Sequence, residues 1–111
     1  MINIMSRVRR LNSKVVLLKL FVEELYRLDP MFLRSPNIDE YEPEALSIIS
    51  RFTECGMYEP ITTEMYAGAA SIVKQTFDFW FDHVSTGFDS VPVACALLRI
   101  FNSEYKDHTT L

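Results

Sequence analysis

The chain has 111 residues, a formal net charge of −4, 49% apolar residues and 13% aromatic residues. That length reads as a single domain, residues 1–111, able to bury a core without disulfide or metal staples, and the composition excludes disorder. An acidic chain whose basic residues are not interleaved with aromatics is a poor nucleic-acid binder, and no apolar run reaches the length of a membrane span.

The charge is unevenly spread. Residues 1–34 carry seven Lys/Arg and three Asp/Glu, whereas residues 35–111 carry four Lys/Arg and twelve Asp/Glu. Solvated faces account for most such runs, and the sharper reading is an acidic surface that steers a basic partner. Cys55 and Cys95 have neither a CxxC partner nor metal-ligand spacing. Both fall in apolar helical patterns and are expected as buried, reduced thiols, in keeping with a cytoplasmic protein. Met1–Asn12 lacks the apolar run of a signal peptide. Arg7, Arg9 and Arg10 suit a transit peptide, but an apolar register runs straight through them.

That register opens the first helix. Ile4, Val8, Leu11, Val15, Leu18, Val22 and Leu25 recur at alternating spacings of four and three, the stripe of an amphipathic helix. Leu17, Phe21 and Leu28 widen it to the breadth of a bundle core. The helix is expected over about 6–28, ended by Asp29-Pro30, since the residue before proline is pushed out of the right-handed helical region. A linker follows, and its Met31, Phe32, Leu33 and Ile38 are more apolar than a solvated loop needs. Met31–Leu33 is expected to plug the end of the bundle.

Glu42-Pro43-Glu44 reads as a helix start, with proline in the first turn and acids favoured by the helix dipole. Ala45, Ile48, Ile49 and Phe52 mark the buried face of a helix over about 43–54, and Cys55-Gly56 supplies a glycine for the left-handed position beyond its end. Thr62 or Thr63 is the expected N-cap of a third helix, over about 63–84, with Ile72, Phe77 and Trp80 in the core. Its Ala67-Gly68-Ala69-Ala70 patch would admit a close neighbour. Gly87 breaks it, Asp89 or Ser90 caps a fourth helix over about 91–105, and Leu97, Leu98 and Phe101 give that helix its inner face. Lys106–Leu111 reads as a frayed tail.

Little here suggests catalysis. The only histidines are His83, beside Asp82 near the end of the third helix, and His108 in the tail. Neither has a second His or Cys at ligand spacing. No Ser-His-Asp or Cys-His set and no glycine-rich phosphate loop is present. Asp78 and Asp82 read as one solvated face. The stretch 28–44 holds five of the fifteen acidic residues and three of the five prolines. Its carboxylates are the candidates for acid–base work or a hard cation, but the ligand alternation and central glycine of an EF-hand are missing. The plain reading of Glu42 and Glu44 is stabilisation of a helix start. Asp39-Glu40-Tyr41 lies outside both helices, with an exposed Tyr41 expected as an interface anchor beside acids, and Tyr58 is read the same way.

The run Asp29-Pro30-Met31-x-Leu33, then Pro36-x-x-Asp39-Glu40-Tyr41-x-x-Glu44-Ala45, resembles the YugE-like small helical bacterial proteins, a domain of unknown function. The match covers about twenty residues, and Arg34-Ser35 stands where that family has a glycine-containing loop. The resemblance implies a compact helical bundle and supplies no activity.

The sequence thus predicts an all-α, four-helix bundle-like single domain in a bacterial cytoplasm. It is expected to be a non-enzymatic protein-interaction module with an acidic surface and binding residues Asp29, Asp39, Glu40, Tyr41 and Glu44. No catalytic residue, metal, cofactor, nucleic acid or membrane is assigned. The alternatives are an immunity-type inhibitor of a basic toxin, a self-associating structural protein using the N-terminal stripe or the aromatic end of the third helix, and a carboxylate-based metal protein.

Overall fold

The computed structural model describes residues 2–81 and 88–109, with side chains described over 15–81 and 88–103. These residues form helices α1 (Ile2–Leu28), α2 (Glu42–Glu54), α3 (Thr63–Trp80) and α4 (Ser90–Thr109) and contain no strand. Each helix packs on two others: α1 on α2 and α4, and α3 on α2 and α4. The chain is therefore an all-α bundle wound up-down-up-down, with short connections between antiparallel neighbours. No described helix is long and apolar enough to cross a membrane.

The periodic stripes form the core, with instructive exceptions. On α1, Leu17, Phe21, Val22 and Leu25 are buried, whereas Val15 is 66% and Val16 44% exposed. The stripe thus runs past the point where neighbours cover it. The side chains of Ile4, Val8 and Leu11 lie outside the described residues. α1 also begins at Ile2, earlier than the expected position near Ser6.

α2 buries Ala45, Ile48 and Phe52. It closes with Gly56 at φ 65°, while the N–H groups of Gly56 and Met57 donate to the carbonyls of Thr53 and Phe52 at 3.2 and 3.0 Å. This satisfies carbonyls the helix end would orphan. Cys55, expected in the core, is exposed because it caps the helix instead of facing inward, and Cys95 is only partly buried.

Thr62 caps α3, its hydroxyl oxygen accepting from the Met65 N–H at 3.1 Å. The helix ends at Trp80, short of the expected residue 84: Phe81 leaves the helical conformation and stacks on Phe77, with ring centroids 5.9 Å apart. Residues 82–84, His83 among them, lie outside the described residues, as does the side chain of His108. Trp80 is 45% exposed and is not a core residue. Gly68 is approached by the Met57 side chain and not by a helix, since a Cβ there would sit 3.2 Å from the Met57 terminal methyl. The Asp89 carboxylate accepts from the Val91 N–H at 3.1 Å at the start of α4, which continues to Thr109, beyond the expected end and into the segment read as frayed.

Aromatic rings join the helices at two levels. Phe52 meets Phe21 and Phe101 edge-on at 6.2 and 5.5 Å, and all three are fully buried. Toward the other end, Phe77 meets Tyr41 at 5.8 Å and Phe88 at 5.2 Å. Each pair is worth roughly 0.5–1.5 kcal/mol beyond its buried area.

Buried Asn102 of α4 ties down the connector after α2. Its amide oxygen accepts from the Glu59 N–H at 2.8 Å, and its amide nitrogen donates to the carbonyls of Met57 and Leu98 at 3.0 Å each. Asn102→Leu keeps the branched shape but removes the side-chain bonds to three backbone groups. Urea unfolding is expected to show a loss of about 2–3 kcal/mol, against under about 0.5 kcal/mol for a change at exposed Ser103.

Candidate functional site

The linker between α1 and α2 is built around one carboxylate. Asp29, the residue after α1, has φ 44°, and Phe32 and Arg34 follow at φ 52° and 49°. Left-handed backbone costs an L-residue roughly 1–2 kcal/mol. Three such residues within six persist because Asp29 gathers the donors they present. Its Oδ1 accepts from the Leu33 N–H at 2.9 Å and its Oδ2 from the Arg34 N–H at 3.1 Å. Oδ1 also accepts the hydroxyl proton of Tyr41 at 2.6 Å, and the Tyr41 oxygen in turn accepts from the Met31 N–H at 3.1 Å.

Burial alone would raise the Asp29 carboxyl, but the Tyr41 hydroxyl, the two backbone N–H groups and the nearby Arg34 charge outweigh it and hold the group below the usual carboxylate range. Tyr41 shifts the other way: burial first, then its bond to Asp29, pushes its phenol well above the usual value. Arg34 takes a backbone conformation that glycine favours.

This geometry divides the five expected binding residues. Tyr41, expected exposed, is 1% exposed, because its ring packs against Phe77 while its hydroxyl reaches Asp29. Asp29 is engaged with the linker backbone. Glu44, one turn into α2, is also buried, and its Oε2 has no hydrogen-bond partner among the described residues. Burial pushes its carboxyl up, and the Glu40 charge adds to this against a bond from Glu44's own backbone N–H. All three are thus turned toward the linker or the core. Only Asp39 and Glu40 face solvent. The plug is likewise smaller than expected: Met31 packs on the core, whereas Phe32 is 78% and Leu33 37% exposed.

The exposed acids have neighbours the sequence did not suggest. Asn37, Asp39, Glu40, Glu42, Pro43, Leu46, Ser47 and Trp80 line an open groove of about 610 Å³ between the start of α2 and the end of α3. The Trp80 indole N–H donates to the Ser47 hydroxyl at 3.3 Å, which orients the ring. Leu46 is 51% exposed beside it. The Ser35 hydroxyl donates to Glu40 at 3.2 Å and accepts from the Asn37 N–H at 3.0 Å, while the Asn37 side-chain oxygen accepts from the Asp39 N–H at 3.1 Å. A smaller hollow of about 250 Å³ behind it, lined by Tyr26, Arg27, Asp29, Leu33, Arg34, Ser35, Glu40 and Tyr41, mixes both signs of charge. Among the described residues no group of three His, Cys, Asp or Glu is arranged to hold a metal ion.

An indole, a leucine and three carboxylates offer an apolar surface with an anionic rim. Such a surface suits a cationic side chain carried on an apolar stem or segment. Sequence reasoning missed Trp80 and Leu46 because it assigned Trp80 to the core. The available signal was the aromatic run Phe77, Phe79, Trp80 and Phe81, which spreads around more than half of the helix, so that not all of it can face inward. No protein-family model, curated protein or solved structure matches the chain.

The two structural carboxylates give opposite pH signatures. Asp29 has its folded pKa lowered, so its stabilisation is present above the unfolded carboxylate value, about 3.9, and is lost as pH falls through the folded value. Asp29→Asn is expected to cost about 2–3 kcal/mol at pH 7 and progressively less in acid. Glu44 has its folded pKa raised, so it stabilises the fold when protonated and the effect disappears as pH rises through the folded value. Glu44→Gln is expected to gain about 1–2 kcal/mol at pH 7 and to lose that advantage in acid. Urea titrations from pH 3 to 8 read both. At the strained positions, Phe32→Gly and Arg34→Gly are each expected to raise stability by up to about 1 kcal/mol, relief of strain outweighing glycine's entropy.

Proposed function

We propose that this protein is a non-enzymatic interaction module whose acidic, Trp80-bearing groove binds a basic, partly apolar segment of a partner protein. The observation that carries the reading is the juxtaposition of the oriented Trp80 indole and exposed Leu46 with Asp39, Glu40 and Glu42. Buried aromatic anchors supply most interface energy, and a charged rim supplies orientation and on-rate. Relative to the sequence-based expectation, Asp39 and Glu40 keep their binding role, Glu42, Leu46 and Trp80 join them, and Asp29, Tyr41 and Glu44 become the scaffold. A bacterial, cytoplasmic setting and kinship with the YugE-like proteins belong to the same proposal; the kinship rests on the linker signature and adds no activity.

Trp80 is the only tryptophan, so its emission reports directly on the groove. Titration with a helical peptide of alternating leucine and lysine–arginine pairs is expected to shift that emission, with affinity falling as salt rises. Trp80→Ala, read by anisotropy of a labelled peptide, is expected to weaken binding at least about tenfold, and Asp39→Lys with Glu42→Lys to abolish it. A peptide that leaves Trp80 emission unchanged at low salt, or that binds the Trp80→Ala variant equally well, overturns the reading.

A further inference from the structure

We infer that the groove's occupant is the N-terminal segment of α1 from a second copy of this chain. The inference rests on the proposed binding role of the groove and names its partner.

Residues 1–14 contain Arg7, Arg9, Arg10 and Lys14 and no acidic residue. In the helical register of α1, Arg7, Arg10 and Lys14 share one side, directly beside the stripe Ile4, Val8, Leu11 and Val15. The segment is therefore a basic amphipathic helix whose cations border its apolar stripe, the complement of an apolar floor with an anionic rim. Where the described side chains begin, Val15 is 66% and Val16 44% exposed.

The fold keeps this segment from its own groove. α1 and α2 are antiparallel: Phe21 meets Phe52 near the end of α2, while Asp29 meets Tyr41 at its beginning. The groove lies beside Tyr41, at the end where α1 finishes. α1 is continuous from Ile2 to Leu28, about 40 Å at the helical rise of about 1.5 Å per residue. α1 thus starts at the opposite end of the bundle from the groove, and it is a second molecule that presents this start to the groove. Reciprocal insertion closes a two-fold dimer, whereas one-way insertion builds chains.

Sedimentation velocity over a concentration series, with Trp80 emission read in parallel, tests the inference. The expected result is an assembly that grows with concentration, dissolves with salt and shifts Trp80 emission as it forms. Arg7→Glu/Arg10→Glu/Lys14→Glu is expected to give a monomer with an unchanged unfolding midpoint for the body. Mixing that variant with Asp39→Lys/Glu40→Lys/Glu42→Lys is expected to restore association between two chains that do not self-associate. A strict monomer at high micromolar concentration, or an assembly that survives the arm reversal, overturns the inference. The leucine–lysine–arginine peptide still binding in either case would leave the groove's basic-segment role standing and remove only the second copy as its occupant. Loss of both would remove the two readings together.

Discussion

The Asp29 carboxylate is the point on which the end of this bundle turns. It occupies the position after α1 where a glycine or asparagine would close a helix without strain, and it adopts the left-handed conformation those residues favour. An acid beside the negative end of a helix dipole is doubly unfavourable there. What offsets this is the set of donors it collects: two backbone N–H groups from the following turn and the phenol of Tyr41. A carboxylate folded around by its own chain serves as the internal anion of the linker, and charge-assisted bonds of this kind are about twice as strong as neutral ones.

The consequence reaches α2 and α3. Tyr41 can accept a place against Phe77 only because its hydroxyl has a partner at the bottom of the linker, since a buried phenol without one carries the full desolvation penalty. With Tyr41 fixed, α2 starts at Glu42, and its first turn presents Glu42 and Leu46 on the side where α3 ends. Ser47 then meets the Trp80 indole. A hydrogen bond inside the linker thereby sets which acids face solvent and which aromatic side chain stands beside them. Glu44 runs against this economy. It is buried, with one carboxylate oxygen unpaired among the described residues, and its repulsion from Glu40 couples a structural acid to the exposed rim.

The elements were legible because their signals are local. Alternating spacings of three and four, Asp29-Pro30, Pro43, Gly56 and Thr62 mark where helices start and stop, and each reports on backbone geometry within one turn. What a side chain faces was harder to read. Val15 continues the stripe of α1 without a break, yet spacing carries no information about where the neighbouring helices end. Trp80 keeps helical register with Phe77 nearly as well as a core residue would. Tyr41 sits among acids in a polar, proline-bounded stretch and so looks solvated, because its two partners, Asp29 and Phe77, lie 12 residues before it and a whole helix after it. The acids thus drew attention to a stretch whose exposure they did not reveal: Tyr41 and Glu44 are buried, Asp29 is bonded into the linker, and Asp39 and Glu40 face solvent.

That sorting matters for what the acids can do. Carboxylates held by internal donors are poor ligands for anything else, since a newcomer must first replace bonds already made at 2.6–3.1 Å. Asp39, Glu40 and Glu42 hold no such commitment to the core: Glu40 accepts only from the Ser35 hydroxyl within the linker, and all three border apolar surface. An exposed acid alone gains little from a counter-ion in water, typically under about 1 kcal/mol. Beside the apolar surface of Trp80 and Leu46, the same charge acts at lower effective dielectric. The arginine- and lysine-bearing start of α1 lies at the far end of a continuous helix from this surface. The Asp29–Tyr41 bond, by fixing where α2 begins, fixes where that surface stands.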